Sequence, residues 1–91
     1  MSKIIQDISI GVNLQKLRKA KGLTQEQVCA QMAIAGRPTL RSTYSQIERG
    51  SRNIFVSDLI VLAKIFDTGI EKIFKDLEPI NKYDTNINFS E

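Results

Sequence analysis

The sequence contains no histidine and only one cysteine. Without histidine it lacks the commonest general base and the commonest zinc ligand, and no serine or cysteine nucleophile can be activated by a histidine partner. A single cysteine cannot form an intramolecular disulfide. Neither a glycine-rich phosphate loop nor a metal-ligand spacing is present. We therefore expect no enzyme activity, no cofactor, no metal site and no small-molecule substrate.

Long apolar runs are also missing. No stretch approaches the roughly 20 apolar residues that are needed to cross a bilayer. The isoleucine-rich start of the chain is interrupted by Gln6 and Asp7, so it lacks the continuous apolar core of a signal peptide. We expect a cytoplasmic protein with no membrane partner. The 91 residues, 42% of them hydrophobic and 25% charged, suit one folded domain.

The charges that are present are unevenly distributed. Residues 1–52 hold nine lysines and arginines against three acidic residues, whereas residues 53–91 hold four against seven. A basic half followed by an acidic half is consistent with a polyanion facing the first half. Chance clustering on a solvated surface explains the charge pattern equally well.

Apolar residues recur with the period of an α-helix and predict five helices. Thr24 and Gln27 form a capping box at the start of the second helix. Gly36 and Pro38 lie in a break between the second and third helices. The N-caps predicted for the other main helices are Ser9, Thr39 and Ser57. The expected fold class is all-α, with an N-terminal arm at residues 1–9, one domain at residues 10–78 and a C-terminal tail at residues 79–91.

The third predicted helix has two contrasting sides. Leu40, Tyr44 and Ile47 are spaced to share a buried face. The opposite side is polar, small or basic, and it carries Arg41, Ser42, Ser45, Gln46 and Arg49. Two short helices joined by a turn, with such an outer face on the second one, are typical of proteins that read the DNA major groove.

Three segments of the chain resemble the phage-repressor or Xre-like (Cro-like) helix-turn-helix family. They are IGVNLQKLRKAKGLTQEQVCAQMAI, RSTYSQIERGSRN and LIVLAKIFDTGIEKIF, and the resemblance covers about residues 10–77. It implies a five-helix lambda-repressor-like DNA-binding domain, with the helix-turn-helix at the second and third helices. The implied partner is double-stranded DNA.

The resemblance also implies which residues read bases. Arg41 and Ser42 match the main reading positions of the family, and Ser45 and Gln46 follow one turn later. Arginine can bond both O6 and N7 of guanine, and glutamine can bond adenine in the same bidentate way. The alternative is that these residues form an ordinary solvated face.

Other matched residues are expected to bind DNA phosphates or to stabilise the protein fold. Gln25 matches a phosphate clamp, at a helix N-terminus that favours anions in any case. Arg18 and Glu48 match a structural ion pair between the first and third helices. The turn is about two residues longer than is usual in the family, which leaves the tilt of the third helix open. The further predicted phosphate ligands are Arg37, Tyr44, Arg49, Ser51, Arg52 and Asn53.

The last two helices carry more apolar residues than a small core needs. The candidates for a dimer face are Ile54, Phe55, Ile70, Ile73 and Phe74. Family relatives dimerise in this region, and two-fold symmetry would place two reading helices about 34 Å apart in successive major grooves. These residues could instead complete the core of a monomer.

Two functions follow from these observations. The main hypothesis is a transcriptional regulator, and specifically a repressor that binds a pseudo-palindromic operator as a homodimer. The alternative is a protein-interaction module, such as an antitoxin or a partner-regulator subunit, with the tail as its recruiting segment. The alternation of Ile87 and Phe89 in that tail would suit strand addition to a partner.

Overall fold

The computed structural model describes residues 6–80, which form five α-helices and no strand. The prediction of an all-α fold is confirmed. The outer parts of the predicted arm and tail, including Ile87 and Phe89, lie outside the described residues. The helices are α1 (Gly11–Ala20), α2 (Gln25–Ile34), α3 (Arg41–Glu48), α4 (Val56–Ile65) and α5 (Ile70–Ile73).

The helices pack around one small core. α1 contacts α3 and α5, α2 contacts α3 and α4, and α4 contacts α5. Burying a large apolar side chain completely stabilises a fold by about 1.5–3 kcal/mol, so a few such residues dominate a domain of this size. The largest fully buried side chains are Leu14, Val28, Met32, Tyr44, Leu62 and Ile73. None of the described helices has the length and apolarity that a membrane crossing requires.

The start of α2 is fixed by the predicted capping box. The Thr24 hydroxyl accepts a hydrogen bond from the Gln27 backbone N–H at 3.1 Å, and the Gln27 side-chain oxygen accepts one from the Thr24 N–H at 2.8 Å. Both bonds satisfy N–H groups that the first turn of a helix leaves free. The predicted capping box is thus confirmed. It could be predicted because it depends only on residues three positions apart.

The other predicted N-caps are each displaced. Ile10, Leu40 and Phe55 occupy the N-cap positions of α1, α3 and α4. The Thr39 hydroxyl donates to the Arg37 carbonyl oxygen instead of capping α3. The cap is shifted because a short polar side chain can bond to nearby backbone outside the helix as well as at its start.

The connection between α2 and α3 runs over residues 35–40 and is tied to α4. Gly36 adopts a φ of 86°, which a residue with a side chain rarely adopts. The Arg37 N–H then donates to the Met32 carbonyl oxygen at 2.9 Å. The Arg37 side chain reaches Asp58, in the first turn of α4, at 2.6 Å. The longer turn is thus held in place by α4.

The N-terminus of α1 lies directly against the C-terminal end of α3. A Cβ atom at Gly11 would collide with the backbone carbonyl groups of Ile47 and Glu48. Two turns of helix can come this close only where one of them has no side chain. Asn13 fastens the other side of α1, because its side-chain amide donates to the carbonyl oxygens of Ile73 and Lys75 at 2.8 and 2.9 Å.

Candidate nucleic-acid interface

The outward side of α3 carries the residues that were predicted to read bases. Arg41 and Ser42, in its first turn, are exposed, and Ser45 and Gln46 are half-buried. The opposite side packs into the core through Tyr44, Ile47 and Glu48. α3 therefore presents one continuous polar surface to solvent, and we call the four outward residues the reading face.

Sequence reasoning missed a contact of the reading face with α2. Glu26, in the first turn of α2, lies with its Oε1 at 3.6 Å from the Arg41 Nε, and both side chains are largely exposed. An exposed pair at this distance contributes little, about 0–1 kcal/mol. Arg41 can therefore leave Glu26 for a base at low cost. The only sequence signal was an acidic residue next to Gln25, which is also common at any helix start.

Glu48 connects α1, α2 and α3 beneath this surface. Its Oε2 accepts from Arg18 Nε at 2.7 Å, and its Oε1 accepts from Arg18 Nη2 at 3.1 Å and from Gln25 Nε2 at 3.0 Å. Arg18 also donates to the Leu23 carbonyl oxygen at 2.9 Å. The two charges are buried, but they are paired in the bidentate geometry that offsets much of the desolvation cost.

The same network orients the predicted phosphate clamp. Gln25 is the first residue of α2, and its amide is held by Glu48 of α3. The amide has a second N–H, which remains available to a ligand. Because α3 and Gln25 are joined directly, a phosphate at Gln25 would be held in a fixed position relative to the reading face.

The charge states of this network are well defined. Burial by itself would raise the pKa of Glu48, but the hydrogen bonds, led by the one from Arg18, outweigh it and lower that pKa. The hydrogen bond to Glu48 likewise raises the pKa of Arg18. The pair is therefore fully ionised near neutral pH.

The position of Tyr44 corrects one prediction. Its side chain has no exposed surface, so it cannot reach a phosphate, and the prediction that it binds one is wrong. Its hydroxyl has no hydrogen-bond partner among residues 6–80. Burial, together with the nearby Glu48 carboxylate, raises the pKa of Tyr44 far above its ordinary value, so the phenol stays neutral. Tyr44 is a core residue.

Arg37 makes contacts within the protein that the sequence did not predict. Its Nε donates to Asp58 Oδ1 at 2.6 Å, and its guanidinium lies 5.7 Å from the centre of the Phe55 ring. The hydrogen bond to Asp58 raises the pKa of Arg37. A guanidinium that is engaged by a carboxylate and a ring holds the turn to α4. Its binding of a phosphate stays a prediction.

The loop after α3 continues from the reading face. Arg52 Nη1 donates to Gln46 Oε1 at 3.3 Å, and the Ser51 hydroxyl donates to the Gln46 carbonyl oxygen at 3.2 Å. The other predicted phosphate ligands here, Arg49 and Asn53, are exposed. The structure thus places the predicted phosphate-binding loop directly beside the predicted base-reading residues.

The dimer candidates separate into two groups. Phe55, Ile70 and Phe74 are exposed. Ile73 is fully buried and Ile54 is half-buried against the core, so Ile73 is corrected to a core residue because no surface of it is left for a partner. Val56 and Phe74 border an apolar groove of about 370 Å³.

Two exposed apolar residues of α4 were missed. Val56 and Ile60 lie one helical turn apart, which puts them on the same side of α4, and both are exposed. The sequence does not reveal their exposure, because α4 is so apolar that its period does not distinguish the two sides. Within residues 6–80, no three potential metal ligands come together.

Comparisons with known proteins agree with this geometry. Residues 9–73 match a family described as a helix-turn-helix domain. Among solved structures, the chain is similar to the restriction-modification controller protein C.AhdI from Aeromonas hydrophila, which is known from a high-resolution crystal structure. The two share 31% sequence identity with a TM-score of 0.63, over 74% of this chain and 94% of that chain. No curated protein matches the chain.

Proposed function

The chain belongs to the Xre-like helix-turn-helix family and is a DNA-binding transcriptional regulator, not an enzyme, and from this premise we propose that it is a dimeric repressor of a pseudo-palindromic operator. The observation that carries the proposal is the outward, polar reading face of α3. The likeness to a restriction-modification controller protein supports a role in gene control. A repressor works where its DNA lies, so the proposal includes a cytoplasmic location.

In the proposed complex, α3 lies in the major groove with its N-terminal residues against the base edges, as in other helix-turn-helix proteins. Arg41 donates to guanine O6 and N7, and Gln46 pairs with adenine. Ser42 and Ser45 have shorter side chains and add further hydrogen bonds to the bases. Each good bidentate contact contributes about 1–3 kcal/mol of discrimination against the wrong base.

Phosphate contacts set the position of α3. Gln25 binds one phosphate at the N-terminus of α2, where free N–H groups and the helix dipole already favour an anion. Further phosphates are bound at the end of α3 and in the loop that follows it, by Arg49, Ser51, Arg52 and Asn53. Such contacts orient the protein on the duplex and carry no sequence information themselves.

The dimer would use the exposed apolar residues of the second half of the chain. Phe55, Val56, Ile60, Ile70 and Phe74 are large, apolar and exposed. Clusters of exposed apolar residues of this kind commonly mark protein–protein contacts. A two-fold dimer would present two copies of α3 to successive major grooves, which is why we propose a pseudo-palindromic operator.

The proposed function is tested by titrating the purified chain with a random-sequence duplex at two salt concentrations. A protein that neutralises phosphates releases counterions, so the affinity must fall steeply as salt rises. Arg49→Ala, beside the reading face, is expected to weaken binding, whereas Lys72→Ala, exposed on α5, serves as the matched control and is expected to change it little. Salt-independent binding, or none, would favour the protein-interaction module instead.

A further inference from the structure

One apolar side chain stands at the start of the reading face. Leu40 is the N-cap of α3 and immediately precedes Arg41, and its side chain is 73% exposed. The sequence period had placed it on the buried side. That period does not apply here because the backbone at Leu40 is extended, with φ −67° and ψ 145°, so its side chain does not follow the helical pattern.

Leu40 also borders a groove that leads to the phosphate-binding loop. The groove has a volume of about 380 Å³ and lies between the α2–α3 turn and the loop after α3. Its lining includes Leu40 and Thr43 as well as Arg52 and Asn53. A DNA strand whose phosphates are held by Arg52 and Asn53 would therefore pass close to Leu40.

The chemistry of leucine narrows what it can recognise in DNA. It has no hydrogen-bond donor or acceptor, so it cannot distinguish bases by the polar groups on their edges. In the major groove, thymine alone carries a methyl group, and apolar side chains contact it specifically. Leu40 is a large, exposed leucine among polar neighbours, at the N-terminal end of the helix that is proposed to enter the major groove. A thymine methyl group therefore suits it as a contact.

We propose that Leu40 is a specificity-determining residue that selects thymine at one position of each half-site by contacting its 5-methyl group. The inference rests on the proposed function and adds a hydrophobic component to a reading face that is otherwise polar. Removing one methyl group that is buried in such a contact lowers the affinity by about fourfold, and this is the size of the effect that we expect.

The test replaces each thymine of a selected operator by deoxyuridine, which removes only the methyl group. The operator is first obtained by selecting bound duplexes from a random pool. Binding of each substituted duplex is then measured for the wild type, for Leu40→Ala and for Ile34→Ala. Ile34 is a matched control because it is an even more exposed aliphatic residue, at 88%, at the far end of α2, and it does not line the groove.

At one thymine per half-site, the wild type and Ile34→Ala are expected to lose about fourfold in affinity on removal of the methyl, while Leu40→Ala loses almost nothing. The proposal is overturned if no thymine is sensitive, or if Leu40→Ala is as sensitive as the wild type at every thymine. Failure of the proposed function looks different, because the random pool would then yield no preferred duplex. Leu40 is exposed, so thermal melting should show Leu40→Ala to be as stable as the wild type.

Discussion

Arg18 holds Glu48 through two hydrogen bonds, at 2.7 Å from Nε to Oε2 and at 3.1 Å from Nη2 to Oε1, in the buried space between α1 and α3. Glu48 also accepts a hydrogen bond from the side chain of Gln25, at the start of α2. Residues on three helices are thus fixed relative to one another by a single carboxylate. This arrangement joins the stability of the domain to the geometry of its proposed DNA-binding surface.

Breaking this pair from one side should cost more than removing it altogether. We expect Arg18→Met alone and Glu48→Leu alone each to lower the free energy of unfolding by about 3–5 kcal/mol, because each leaves a buried charge without its partner. The double variant should lose less than either single one. Urea unfolding of all four proteins provides the measurement.

The exposed pair of Lys21 and Asp67, at 3.9 Å, is the matched control for that cycle. Its single and double variants should change the free energy of unfolding by no more than about 1 kcal/mol. Additive losses at Arg18 and Glu48 would contradict the structural role assigned to the buried pair.

The same carboxylate should make stability depend on pH in the acid range. The pKa of Glu48 is lowered in the folded state, so its contribution is present above the ordinary glutamate pKa of about 4.3 and is lost as the pH falls through the lowered value. The difference in melting temperature between the wild type and Glu48→Gln should therefore be large near neutral pH and shrink on acidification. A difference that stays constant down to about pH 3 would show that the Glu48 charge is not what stabilises the fold.

Arg52 should contribute affinity without sequence preference. It lies in the loop after α3, and its contact with Gln46 is long, at 3.3 Å, so its guanidinium is available to a phosphate. We expect Arg52→Ala to weaken binding to the operator and to random duplex by similar factors, and to reduce the slope of log affinity against log salt by about one. The slopes come from titrations at several salt concentrations. A loss confined to the operator would mean that Arg52 or its neighbour Gln46 reads bases.

The exposed apolar residues of α4 and α5 should control self-association. A charge at the proposed dimer face must be desolvated on association, so we expect Phe74→Asp to shift the chain from dimer to monomer in sedimentation analysis. Ile34→Asp places the same charge on an exposed apolar residue of α2 and should leave the dimer intact. If the wild type is monomeric at micromolar concentration, or if Phe74→Asp still dimerises, this dimer face is wrong.

The fold could be predicted because its signals are local. The capping box of Thr24 and Gln27 lies within one turn, and the apolar period repeats within each helix. The same period fails at the helix ends, where the backbone leaves helical geometry, and this is why Leu40 was placed on the wrong side. In α4 it fails because almost every residue is apolar, so Ile60 could not be recognised as exposed.

The site could be predicted only in part because side-chain depth and distant pairing are tertiary properties. Tyr44 was placed on the buried face correctly, but its depth, and with it the loss of its hydroxyl as a ligand, depends on how α1 and α2 pack against α3. Arg37 meets Asp58, 21 positions away, because the longer turn folds towards α4. No periodicity encodes such a contact. Arg18 and Glu48 were identified only through the resemblance to a family.

If the reading face of α3 selects a DNA sequence, this is seen by selecting bound duplexes from a random pool with the wild type and with Arg41→Ala. We expect a two-fold-symmetric consensus for the wild type and, for Arg41→Ala, the same consensus with one position per half-site relaxed by about 1–3 kcal/mol. A wild-type pool without any consensus, or a consensus that Arg41→Ala leaves unchanged at every position, would contradict this expectation.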